Sequence, residues 1–120
     1  MSLPERSSRC AFESLLTLLT GTWTLQILWV LRNRGSIRFG ELKRAIPGIS
    51  AKVLTDRLRM LEQTGLVDRE YKPTIPPQVS YSPTKRAMEL NEVFDRLEVI
   101  AEKWYSEEDK EEISVDKAKL

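Results

Sequence analysis

The stretch Pro47-Gly48-Ile49-Ser50 constrains the fold more than any other part of this chain. Proline fixes its own φ and lacks an N–H, glycine adds backbone freedom, and together they enforce a tight turn. Ser50 is a good N-cap, and Ile49 just before it can pack on Leu54, four residues into the next helix, as a hydrophobic staple. Upstream, Phe39 to Ala45 reads as a short helix that buries Phe39, Leu42 and, just beyond it, Ile46. Helix, short glycine-containing turn, helix is the predicted unit, and in that arrangement the second helix can lie in a DNA major groove.

Around a helical wheel from Ser50 to Thr64, Leu54, Leu58 and Leu61 make one stripe, with Val53 and Arg57 at its edges. Lys52, Thr55, Asp56, Arg59 and Gln63 make the opposite stripe. These side chains offer cationic, hydroxyl, acceptor and amide groups of the kinds that read base edges and hold phosphates. Lys52, Thr55 and Arg59 are therefore candidates for DNA contact, and Ser50 is a cap that also meets the backbone; the ordinary alternative is a solvated helix face. Asp56 repels phosphate, so it either accepts from a cytosine amine or braces a neighbouring arginine. Arg57, beside the apolar stripe, is expected to pack its stem or pair with an acid.

The flanking segments complete a pattern. Phe12, Leu15, Leu16 and Leu19 predict a short first helix that ends before Gly21. Thr22 is expected to cap a second helix running to about Arg34, with Trp23, Ile27, Val30 and Leu31 on one face and Leu25, Leu28 and Trp29 on the other, so that this helix is central. Gly35 stops it, and Ile37-Arg38 can add a very short strand. After Gly65, the alternation Leu66 to Tyr71 reads as a half-exposed strand and Val79 to Ser82 as its partner. The segment Lys72 to Gln78 between them, stiffened by three prolines, makes the rigid tip of a wing. Lys72 and Gln78 there, and Arg38 just before the third helix, are placed for backbone phosphates. After Thr84, a plausible cap, a long helix to about Tyr105 carries Leu90, Val93, Leu97, Ile100 and Trp104 at alternating spacings of three and four, supplemented by Phe94 and Ala101. A heptad-like seam following the wing has limited core left to cover, so it is predicted to pair with a second copy. Trp23, Trp29 and Trp104 are expected in core or interface before any effector pocket.

The fold class is thus mainly α with a small β-hairpin, a winged helix-turn-helix that dimerises through its N- and C-terminal helices. The 120 residues divide into an N-terminal arm over 1–9, the winged domain with its C-terminal dimerisation helix over 10–105, and a charged tail over 106–120. The net charge of +1 hides an asymmetry: six acids and three lysines in the tail leave 16 basic and 12 acidic groups, a charge of +4, in residues 1–105. Positive excess in the body suits a nucleic-acid partner. With no histidine, hydrolytic triads and most zinc sites are excluded, and no glycine-rich phosphate loop is present. Neither enzyme activity, metal nor cofactor is expected. A lone cysteine, Cys10, points to a reducing, cytoplasmic setting, and the apolar runs are too short for a membrane span.

In order and separation, several stretches resemble the HxlR-type regulators. They are Cys10, Gly21-Thr22-Trp23-Thr24-Leu25-Gln26-Ile27-Leu28, Arg38-Phe39-Gly40-Glu41-Leu42, Ile46-Pro47-Gly48-Ile49-Ser50, the run from Val53 to Glu62, Gly65-Leu66-Val67, and the run from Pro76 to Thr84. The chain departs from that pattern at Thr22, where relatives have lysine, and at Pro83 and Ala87, where they have leucine and glycine. The resemblance implies a homodimeric transcriptional regulator on a pseudo-palindromic operator, with double-stranded DNA as partner and a small electrophile, aldehyde or oxidant as possible effector. It also implies a sensing role for Cys10, with Arg6 and Arg9 nearby in sequence; the ordinary alternative is an inert thiol at the dimer interface. A winged helix used only for protein contacts is the competing function.

Overall fold

The computed structural model describes residues 3–105. Met1, Ser2, the predicted charged tail over 106–120 and the Arg6 side chain lie outside the described part. The chain divides into two units, one through Met88 and one from Glu89 onward.

Within the first unit, α3 (Phe39–Ala45) and α4 (Ala51–Gln63) flank the Pro47-Gly48 turn as predicted. Gly48 takes φ 90°, a left-handed backbone that would cost an L side chain about 1–2 kcal/mol. Ser50 caps α4 by accepting from the Val53 N–H at 3.1 Å. At the far end Gly65 takes φ 80°. Its N–H donates to the Glu62 carbonyl at 3.1 Å and that of Leu66 to the Leu61 carbonyl at 2.9 Å, the paired bonds of a Schellman cap. α4 is therefore fixed at both ends by local chemistry.

The core gathers Ile27, Leu28, Val30 and Leu31 of α2 (Thr24–Arg34), Leu42 of α3, Leu54, Leu58 and Leu61 of α4, and Ile37 and Tyr81 of the sheet. α2 is not buried all round, however: Leu25 and Trp29 are exposed. Nor does Thr22 cap it. Trp23 holds the cap position with φ 72° and no side-chain cap bond, and the Thr24 N–H closes a turn onto the Gly21 carbonyl at 3.1 Å. The turn swings the chain through 79° between α1 (Leu3–Leu19) and α2. Left-handed backbone is unfavourable for tryptophan. Its indole is seated on the helix-turn-helix turn, where a Cβ placed on Gly48 would stand 3.6 Å from Trp23 Cη2. α1 begins at Leu3 and not near Phe12, and Pro4 in its first turn loses no backbone bond. Phe12, Leu15 and Leu16 on α1 are exposed.

Strand β1 (Ile37–Arg38) pairs with β3 (Gln78–Pro83), which pairs in turn with β2 (Val67–Lys72), so the wing belongs to a three-stranded antiparallel sheet of order β1-β3-β2. The register sets Val67 opposite Pro83 and Lys72 opposite Gln78, leaving Pro73 to Pro77 as the tip. β2 buries Val67 but exposes Asp68 through Lys72 on both faces, against the half-buried alternation expected. It has one strand neighbour and runs outward with the wing.

The predicted long helix is broken. α5 (Lys85–Met88) ends at Glu89-Leu90, and α6 (Asn91–Trp104) starts again with the Phe94 N–H bonded to the Leu90 carbonyl at 3.0 Å. Thr84 caps α5, accepting from the Ala87 N–H at 3.1 Å, while its hydroxyl donates to the Gly65 carbonyl at 2.6 Å. α5 is thus tied to the end of α4, a constraint no heptad pattern contains. Along α6, Phe94 is buried, Leu90 at its cap is half-buried, and Val93, Leu97, Ile100 and Trp104 are exposed. Among the described residues no single helix is long and apolar enough to cross a membrane.

Candidate nucleic-acid interface

The chemistry of this surface starts from α4. With Leu54, Leu58 and Leu61 turned into the core, helical periodicity leaves Lys52, Asp56, Arg59 and Gln63 exposed and Thr55 half-buried. The Thr55 hydroxyl donates to the Ala51 carbonyl at 2.8 Å, which leaves its lone pairs to accept from a ligand. Ser50 spends an acceptor site on the helix cap. Arg57 lies at the edge of the core and reaches the α1–α2 turn, its Nη1 3.4 Å from where a Gly21 Cβ would stand. The structural role expected for Arg57 fits that position.

The wing supplies the facing side. Arg38 Nη2 donates to Gln78 Oε1 at 3.2 Å, so two of the predicted contacts are joined across β1 and β3. With Phe39, Gly40, Thr55, Arg69, Pro76, Pro77, Val79 and Tyr81 they line an open cleft of about 520 Å³. A second cleft, of about 300 Å³, is lined by Thr55, Arg59, Glu62, Arg69 and Tyr81. The helix face and the wing therefore bound one concave, arginine-rich surface. Phe39 and Tyr81, ring centroids 6.5 Å apart and tilted by 54°, form part of its wall.

Arg69 lines both clefts, and reasoning from the sequence missed it. Its guanidinium stands 5.9 Å from the Tyr71 ring centroid, a cation–π distance. The alternation over Leu66 to Tyr71 reads only as a half-exposed strand and does not single Arg69 out. What places it beside α4 is its register opposite Tyr81, which no local pattern encodes.

Other predicted positions fall elsewhere. Lys72 sits at the base of the tip, its Nζ 3.4 Å from Glu70 Oε1, with both side chains exposed; such a pair is weak in water and does not withdraw the cation from use. Cys10 is exposed on α1, and the Arg9 beside it has its Nε 3.6 Å from Glu13 Oε1. Of the predicted dimer residues, Val93, Leu97, Ile100 and Trp104 present apolar surface from α6. Among the described residues no group of acids or thiols is arranged to hold a metal ion.

Residues 18–109 match the family model described as HxlR-like helix-turn-helix. The chain belongs to the HxlR-like helix-turn-helix family. An HTH-type transcriptional regulator of Synechocystis is 37% identical over 104 residues, covering 87% of this chain and 76% of that protein. Among solved structures, a transcriptional regulator described as of the MarR family, from Porphyromonas gingivalis W83, superposes with TM-score 0.71 at 39% identity over 77% of this chain and 89% of that one. The redox regulator HypR in its reduced form gives TM-score 0.72 at 30% identity over 80% and 94%. This HxlR-like chain is a transcriptional regulator of winged-helix type, as its motif order implied; the regulators of its family are not enzymes.

Proposed function

We propose that the protein binds double-stranded DNA sequence-specifically as a homodimer on a pseudo-palindromic operator. α4 enters the major groove, Lys52, Thr55, Asp56 and Arg59 face base edges and phosphates, Ser50 meets the backbone, and Arg38, Lys72 and Gln78 of the sheet and wing hold the flanking strand. The observation that carries this reading is the shared concave surface. Thr55 of α4, Arg38 and Gln78 line one cleft, and Arg59 lines the adjoining one with the same Arg69 and Tyr81 walls. Arginine and amide groups on a capped helix beside a stiff hairpin match what phosphate positioning and base reading require. The second copy pairs through α1 and the α6 seam of Leu90, Val93, Leu97, Ile100 and Trp104. Modification of the exposed Cys10 thiol by an oxidant or electrophile changes operator affinity, a role supported by the likeness to a redox regulator. The expected setting is the cytoplasm.

Selection of bound sequences from randomised duplex DNA, under reducing conditions and at two salt concentrations, tests the reading. The expected product is an inverted repeat with half-sites about one helical turn, roughly 34 Å, apart. Sequence-blind binding abolished by moderate salt would leave only a basic surface and favour a winged helix used for protein contacts. For Cys10, operator binding that is unchanged after oxidant treatment of the reduced protein would remove the sensing role.

A further inference from the structure

The tip of the wing carries no charge. Pro73, Thr74, Ile75, Pro76 and Pro77 include three prolines and neither acid nor base, and the flanking cation Lys72 lies beside Glu70. At the end of this tip Ile75 is 101% exposed, the most exposed large apolar side chain among the described residues. The Thr74 hydroxyl donates to the Pro76 carbonyl at 2.7 Å, bracing the loop around it. An isoleucine so placed contributes nothing to the core, and a phosphate offers it no contact. Pro76 and Pro77, the two residues that follow it, line the same cleft as Thr55 of α4 and Arg38. A duplex seated on α4 therefore passes the tip.

We propose, resting on the DNA-binding reading above, that Ile75 enters the minor groove next to the major-groove segment read by α4. There it packs on the sugar walls and the groove floor. Apolar side chains inserted into the minor groove are a known means of binding and bending a duplex. A stiff tip loses little entropy on docking there. In the minor groove the base pairs differ chiefly by the N2 amine of guanine, present in G·C and absent from A·T. An apolar side chain covering that amine leaves a donor without a partner, which is costly. Ile75 thus gives the wing a preference for A·T pairs at positions that α4 does not reach.

The test uses the full chain and the operator recovered by selection, with binding read by fluorescence anisotropy. Ile75→Ala is compared with wild type on that operator and on a copy in which the adenines under the wing are replaced by diaminopurine. This base adds a minor-groove amine and leaves the major-groove edge intact. Ile75→Ala is expected to melt at the wild-type temperature and to bind about tenfold more weakly, in line with lost apolar burial. Its salt dependence stays the same, since no charge is lost. Diaminopurine is expected to weaken wild type severalfold and to leave Ile75→Ala unaffected. Equal affinities of the two proteins, or equal sensitivity to the added amine, would overturn the proposal while specific binding by wild type still upheld the DNA-binding reading. A wild type that selects no sequence at all would remove both.

Discussion

Thr24 holds a hydroxyl that is sealed from solvent and finds no hydrogen-bond partner among the described residues, at the start of the central helix. Burying an unpaired hydroxyl costs free energy that an apolar group of the same shape does not. Thr24→Val is therefore expected to stabilise the protein by about 1 kcal/mol, read as a rise in the urea midpoint at constant m-value. A fall in the midpoint would mean that the hydroxyl is satisfied in solution. Arg69 presents the opposite case, an exposed charge whose worth lies in what it faces. Placed on two clefts with Thr55 and Arg59, it is expected to neutralise a phosphate. Arg69→Gln should then weaken binding to all sequences alike and reduce the slope of log K against log salt by about 1 for each bound subunit. Loss of discrimination at one base pair with the slope intact would instead make Arg69 a base reader.

The elements whose ends need a backbone conformation or a cap that only a few residue types supply cheaply were legible in the sequence. Gly48, Ser50 and Gly65 bracket α4, Gly35 ends α2, and three prolines confine the wing tip; each is where residue chemistry alone placed it. Less legible were features set by partners distant in sequence. The break at Glu89-Leu90 follows a helix start tied to the Gly65 carbonyl by Thr84, and Trp23 takes a left-handed backbone while its ring rests on Gly48. The same division applies to the site: the α4 face was read from periodicity, whereas Arg69 needed the strand register. Ser50 joins both categories, as a proven cap and a proposed backbone contact, and two substitutions separate these roles. Ser50→Ala should cost about 1 kcal/mol of stability. Ser50→Asp keeps a good cap, so it should melt near wild type while binding DNA more weakly through phosphate repulsion. Wild-type affinity for the aspartate variant would confine Ser50 to capping.

For the molecule as a whole, the apolar surface left bare on its terminal helices bears most directly on assembly. Phe12 is 61% exposed on α1 and Trp104 62% on α6, with Leu15, Leu16, Val93, Leu97 and Ile100 also exposed. Scattered exposed apolar residues are ordinary, but a run of them at heptad spacing on one helix is what a partner helix covers. Replacing Leu97 and Ile100 together by glutamate puts charges into that seam without removing a buried side chain from the monomer. If α6 is the pairing surface, the double variant is expected to keep its helical circular dichroism and to sediment as a monomer at concentrations where wild type sediments as the proposed dimer. Its affinity for the full inverted repeat should fall to that for a single half-site, since coupling between the two sites depends on their linkage. If the variant still sediments as a dimer and still binds the repeat cooperatively, α6 is not the pairing surface, and the exposed face of α1 becomes the one to disrupt.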